Sequence, residues 1–284
     1  MKLTVIPNNI NNIKEYSKIG AKAFIFALKD YSCGYEHYYS LDEIKEVSKS
    51  SDIEVFVSMN KNFFNDELDD LEKVLIELSK LNIKGVLFYD LAVLNLRDKN
   101  NLSLDLVWNQ THMVTNYNTC NYYYDKNVKY GVVSKEITID EINEMNDKTN
   151  MTLMTYVFCY PLMSYTRRSL LTNYFKSHNY EKEKSKYIVV NNDEEYIVNE
   201  EEHGTAFYMN KLLNGSDIIN KLNTEYAILD ESFIDSDLFM KVLDLFNKLI
   251  DTEDENIKKE IDELTGDYRG FFHTKTIYKV KKSE

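Results

Sequence analysis

Glycine, cysteine, proline and arginine are all scarce in this chain, and most of the shortages exclude something. Eight glycines in 284 residues leave no GxGxxG, so the phosphate-binding loop of a dinucleotide fold is missing. Three cysteines, Cys33, Cys120 and Cys159, cannot all pair and show no CxxC spacing. That argues against a disulfide framework and against a self-contained zinc or iron–sulfur site. No HxH or HxxxH occurs, so no metal site is expected from histidine spacing. A serine-hydrolase GxSxG is also missing. There is no apolar run of about 18 residues, so no membrane span is expected. The N-terminus, MKLTVIPNN, lacks the apolar core of a signal peptide, and a cytoplasmic protein is expected. The net charge of −13 lacks the basic excess that general nucleic-acid binding needs, so no DNA partner is expected. It penalises an RNA partner without excluding a local basic patch.

What is present is a near-continuous alternation of short apolar strands with amphipathic helices. Strands are expected at 3–6, 23–28, 54–59, 85–89, 104–108, 130–133, 152–158 and 226–229. Each is followed by a helical pattern. The clearest runs from Asp66 to Leu81, with Leu68, Leu71, Val74, Leu75 and Leu78 at i, i+3, i+4 spacing. Eight such units predict a (β/α)8 barrel, favoured over a doubly wound open sheet. After the seventh strand the pattern breaks. KYIVV and EEYIV flank Asn191, Asn192 and Asp193, which reads as a β-hairpin. The expected organisation is a barrel over 1–250 carrying an excursion at about 176–210. An acidic helix and a strand over 251–284 would pack on it, the strand in GFFHTKTIYKVKK.

Barrels of this kind place their chemistry at the C-terminal ends of the strands. Those ends carry Asn8, Lys29, Asp30, Asn60, Lys61, Asp90, Asn109, Gln110, His112, Ser134, Lys135, Glu136, Tyr160, Asp230 and Glu231. His112, Glu136 and Lys135 are the candidate catalytic set: a base or anion donor, the carboxylate that orients it, and a cation. Asn60, Lys61, Gln110, Tyr160 and Asp230 are candidate substrate contacts, although Asp90 and Asp230 also suit helix caps. Two of the chain's four arginines, Arg167 and Arg168, stand together after Pro161. Read as the first turn of a helix capped by Ser164 and striped with Leu170, Leu171, Tyr174 and Phe175, they sit badly with the helix dipole. An anion is therefore expected beside them, either a bound ligand or a carboxylate among Glu200, Glu201 and Glu202. Cys159, at the end of the seventh strand, reads as core packing before it reads as a nucleophile.

The segment YVFCYPLMSYTRRSLLTNYF resembles the central signature of peptidase family U32, the collagenase-like peptidases, and especially its short Firmicutes-type members. GAKAFIFALKDYS, EVFVSMNKNFFNDEL, IKGVLFYDLAVLNL, WNQTHMVTNY, EEHGTAFYMNKLLNG and GFFHTKTIYKV carry the resemblance along nearly the whole chain. It implies a TIM-barrel-like core. It also implies one of three activities: oxygen-independent hydroxylation of the tRNA wobble uridine with prephenate as co-substrate, peptidase activity, or service as a non-catalytic partner subunit. Several family members resemble four-cysteine iron–sulfur proteins. This chain departs from them: Cys159 stands where short members tend to carry glycine, and the later cysteine-rich segment is replaced by a lysine-rich one. The resemblance thus implies a longer, cysteine-bearing paralogue as partner, tRNA as a possible substrate, and no cluster held by this chain alone.

Overall fold

The computed structural model of the protein describes residues 1–275. The first six strands are β1 (Lys2–Ile6), β2 (Ala23–Ala27), β3 (Glu54–Met59), β4 (Gly85–Phe88), β5 (Leu106–Trp108) and β6 (Tyr130–Val132). They alternate with α1 (Ile13–Ile19), α2 (Leu41–Val47), α3 (Leu68–Leu78), α4 (Leu91–Lys99), α5 (Tyr117–Tyr124) and α6 (Ile139–Lys148). Then come β7 (Thr152–Cys159), β8 (Leu162–Thr166), α7 (Leu170–Ser177), β9 (Lys186–Asn191), β10 (Glu194–Glu201), β11 (Gly204–Met209) and β12 (Leu213–Asn214). The chain returns through β13 (Tyr226–Asp230), α8 (Ser236–Leu249) and α9 (Glu255–Thr265).

β1 to β7 and β13 pair in parallel and close on themselves. β13 lies between β7 and β1, and β6 pairs with β7. This is the expected (β/α)8 barrel. Its strands are apolar on both faces because helices cover the outside and side chains fill the inside. Phe24, Phe26, Phe56, Leu87, Val107 and Leu229 are all fully buried. Helix starts follow local chemistry. Ser40 with Glu43 and Thr138 with Glu141 each form a reciprocal capping box, which fixes where α2 and α6 begin.

The connection from β7 to β13 is the irregular one. β8, β11, β10 and β9 form a separate antiparallel sheet over the C-terminal mouth of the barrel. The expected hairpin is its β9–β10 pair. Asn192 and Asp193 both take positive φ, 51° and 63°, as a two-residue type I′ turn requires.

Two local expectations are corrected. Ser164 does not cap a helix. Residues 162–166 are β8, paired with β11 through Thr166–Thr205, Tyr165–Ala206 and Ser164–Phe207. The helix begins later, at Leu170, with Ser169 before it, so Arg167 and Arg168 precede it. Of its expected buried stripe only Leu171 is buried, while Leu170 and Tyr174 are exposed. The sheet supplies the ladder partner that a single stretch of sequence cannot show. The second correction lies at the tail. α9 is the expected acidic helix, but residues 270–274 turn back towards the barrel instead of forming a strand. The remainder of the expected strand lies outside the described residues.

Candidate functional site

The mouth of the barrel holds three adjoining cavities. Thr111 and Leu162 border all three. The first, of 230 Å³, contains His112, Ser134, Lys135 and Glu136 from the ends of β5 and β6. Leu162 and Met163 of β8 and Tyr268 and Phe271 of the tail close it. The second, of 270 Å³, is walled by Asn60, Asn62, Tyr89, Asn109 and His112. A 30 Å³ chamber lies deeper, among Lys135, Tyr156, Cys159, Tyr160, Tyr208 and Asp230. β8 thus runs across the barrel top and separates openings that share one floor.

The three candidate catalytic residues come together in the first cavity. His112 Nδ1 stands 3.2 Å from Glu136 Oε1, in a half-exposed pair that can carry a proton. The Glu136 backbone amide donates to Ser134 Oγ at 3.2 Å, which fixes the turn after β6. Lys135 reaches inward, its ammonium 4.3 Å from the centre of the Tyr156 ring. Lys135 therefore borders both the outer cavity and the deep chamber.

Asp230 is buried at the chamber wall. Burial pushes its carboxyl up to about 6, although the Ser232 hydrogen bonds and the Lys135 charge pull the other way. Its one backbone donor is the Ser232 amide, at 2.9 Å. Two buried polar atoms beside the chamber, Asn109 Oδ1 and Tyr208 OH, have no hydrogen-bond partner among the described residues. A buried acceptor and hydroxyl left in this state are the groups that a polar ligand or water satisfies. Neither residue was among the sequence candidates for the site. Asn109 appeared only as part of the polar ring, and Tyr208 comes from β11, about 100 residues downstream of it.

The other candidates divide. Tyr160 and Asn60 border the chamber. Asn60 also clamps the β2–α2 loop, accepting from the Cys33 amide and donating to the Cys33 carbonyl, both at 3.0 Å. Gln110 is tied between the Trp108 indole at 3.0 Å and the Tyr89 carbonyl at 2.6 Å. Lys61 is buried against Glu67 at 2.8 Å. Asp90 caps α4 through the Ala92 amide.

Arg167 lies away from the three cavities. It shares Glu67 at 3.2 Å and stacks its guanidinium 3.6 Å above the Phe64 ring. Burial alone would raise the Glu67 carboxyl. Hydrogen bonds from Lys61 and the Phe64 amide and the charge of Arg167 outweigh it and hold that carboxyl down at about 2. Arg168 is exposed, and its side chain makes no hydrogen bond or ion pair among the described residues. Among the described residues none of Glu200, Glu201 and Glu202 pairs with either arginine, and Glu200 of β10 serves the backbone of α7 instead. The Thr172 amide donates to it at 2.9 Å, and Thr172 Oγ1 and Lys182 close around it.

Among the described residues, the group of potential metal ligands within coordinating distance contains no cysteine. Burial pushes the Cys120 and Cys159 thiols up to about 12, and that of Cys33 higher still. The same burial makes Cys159 a poor nucleophile.

A parallel α/β barrel whose C-terminal mouth is roofed by its own antiparallel sheet is the class of protein these observations define. Residues 8–277 match Peptidase family U32, and the chain belongs to that family. It is 27% identical over 215 residues to "tRNA hydroxylation protein P2" of Bacillus subtilis, covering 72% of this chain and 70% of that one. It is 19% identical over 170 residues to "tRNA hydroxylation protein P1" of the same organism, covering 58% of this chain and 40% of that one. Among solved structures, a tryptophan synthase α-subunit from Pyrococcus furiosus superposes with a TM-score of 0.42 at 9% identity, over 93% of this chain and 96% of that one. The barrel itself rests on the strand pairing of this chain. No helix among the described residues is long and apolar enough to cross a membrane.

Proposed function

We propose that this protein acts in hydroxylation of tRNA, at the wobble uridine and without molecular oxygen, using the barrel mouth as its site. The observation that carries this is a cluster of proton-carrying and cationic side chains, His112–Glu136 and Lys135, in the mouth of a chain related to two proteins named for tRNA hydroxylation. Lys135 is placed to hold a carboxylate, and a prephenate-type co-substrate would present one. The His112–Glu136 pair sits at the outer opening, where it can move a proton to or from a nucleoside presented from solvent. Asn109 and Tyr208 orient the bound molecule by taking up its polar groups.

The protein works in the cytoplasm, beside a longer paralogue. Its net charge of −13 makes that partner the natural source of tRNA-binding surface. Mass spectrometry of tRNA from cells lacking this gene, the paralogue's gene, or both provides the test. Hydroxylated wobble uridine is expected to vanish in the double deletion. Complementation with Lys135→Ala or His112→Ala is expected to restore it at rates lower by about 10²-fold. Unchanged modification in the double deletion would sink the reading.

A further inference from the structure

We propose that Asp30, Glu202 and His203 form a binding site for a first-row divalent transition-metal ion, such as Zn²⁺ or Mn²⁺, at the edge of a further cavity. This cavity, of 620 Å³, is separate from those just described. It lies between the loop after β2 and the inner face of the β9–β10–β11 sheet, with Tyr38, Glu201 and Phe233 among its walls. One ligand atom from each of the three residues falls within 4.8 Å of the other two, and His203 Nε2 stands 3.4 Å from Asp30 Oδ1.

The three side chains arrive from two directions and are held there. Glu202 and His203 are the two loop residues of the β10–β11 hairpin, whose last pair is Glu201–Gly204. Gly204 closes that turn at φ 154°, where a Cβ would come within 2.0 Å of the Thr166 carbonyl, so no other residue fits. Asp30 follows β2 and is turned towards them by a φ of 70°, a conformation that aspartate tolerates better than most residues. The Glu202 carboxylate has no hydrogen bond or ion pair among the described residues, and the Asp30 carboxylate meets only His203. Two carboxylates and an imidazole converge on a cavity wall that also carries Glu36 and Glu201, with Lys29 and Lys186 among its other residues.

One imidazole and two carboxylates form a donor set of mixed nitrogen and oxygen, which suits zinc, manganese or ferrous iron better than copper(I) or a cluster. Three protein ligands leave coordination positions for water or a bound molecule, as in catalytic sites and unlike closed structural ones. All three residues line the cavity, so those positions are reached from it. The site does not depend on the tRNA reading, since none of its residues borders the cavities at the mouth of the barrel.

Isothermal titration of the full chain with Zn²⁺, and Mn²⁺ titration followed by electron paramagnetic resonance, test the proposal. Saturable binding at a single site is expected. His203→Ala and Asp30→Asn are each expected to weaken it by at least about tenfold, while His178→Ala, at the exposed turn after α7, leaves it unchanged. Circular dichroism checks that each variant folds. The two substitutions lie on different elements, so either one alone can decide the matter. Absence of binding, or binding equally tight in both variants, would show that Asp30 and His203 form only a surface ion pair and overturn the site.

Discussion

The barrel and the sheet that roofs it are built on opposite principles. The barrel closes its hydrogen bonding on itself and has no free edge, and its strands are buried along nearly their whole length. The roof has two edges, and its own apolar core is little more than Ile197, Ala206 and Tyr208. On its outer edge, β9 leaves Ile188, Val189 and Val190 exposed. Stability in the barrel comes from buried apolar area. In the roof it comes from polar ties between distant elements: Glu200 to α7, Glu201 to Tyr38 and to the Gly34 amide, and Arg167 to Glu67.

That contrast can be broken experimentally, most sharply in the barrel. Leu229→Ala removes a fully buried side chain from β13 and is expected to cost about 2–5 kcal/mol in urea unfolding. A loss below about 1 kcal/mol would mean that the barrel is looser than its burial implies.

The next effect concerns pH. The Asp230 carboxyl lies above its ordinary 3.8, at about 6. The folded state therefore holds its proton more tightly than the unfolded state does. This contribution to stability is complete below 3.8 and is lost as pH rises to about 6. Asp230→Asn should remove that slope and gain on the order of 2–3 kcal/mol at neutral pH. Denaturation curves at a series of pH values check it, and an unchanged slope would place the charge of Asp230 in a better-solvated setting.

Arg167→Ala should cost about 1–2 kcal/mol through the lost contacts with Phe64 and Glu67. Its melting temperature should fall while the mouth keeps its shape. Arg168→Ala should leave stability within about 0.5 kcal/mol. If Arg168→Ala lowers tRNA hydroxylation at unchanged stability, the two arginines have divided into one anchor and one ligand contact. The smallest effect belongs to the roof's outer edge. Val190→Ala should shift stability by no more than about 0.5 kcal/mol, and a larger loss in thermal melts would show that something covers β9.

Much of the barrel was legible because its signals are local. Alternating apolar strands and striped helices announce themselves within about a dozen residues. The capping boxes at Ser40 and Thr138 carry their own reason for being there. So did the two-residue turn at Asn192 and Asp193. The candidate site at the mouth was partly legible for the same reason, since strand ends in a barrel converge wherever the strands are found. The misreading at Ser164 shows the limit. Its stretch, including TRRSLLTNYF, carries helical periodicity, yet residues 162–166 pair with a strand some 40 residues later. A ladder partner at that distance outweighs local propensity.

The anion beside Arg167 illustrates the same division. A cation-rich turn was readable as needing a carboxylate, but Glu67, about 100 residues upstream, could not be chosen over Glu200, Glu201 or Glu202 from sequence. Tyr208 left no signal and Asn109 only its place in the polar ring, because an unpartnered polar atom exists only once its surroundings are buried.

The sequence alone determined the eight barrel strands, the helices that follow them and the set of polar residues at their ends, because each follows from periodicity within one segment. Only the tertiary structure decided which of those residues face a common cavity and which are spent on internal pairs. It alone brought Asp30 beside Glu202 and His203, which lie about 170 residues away in the chain. Metal spacing cannot be read along a sequence when the ligands are neighbours only across a fold.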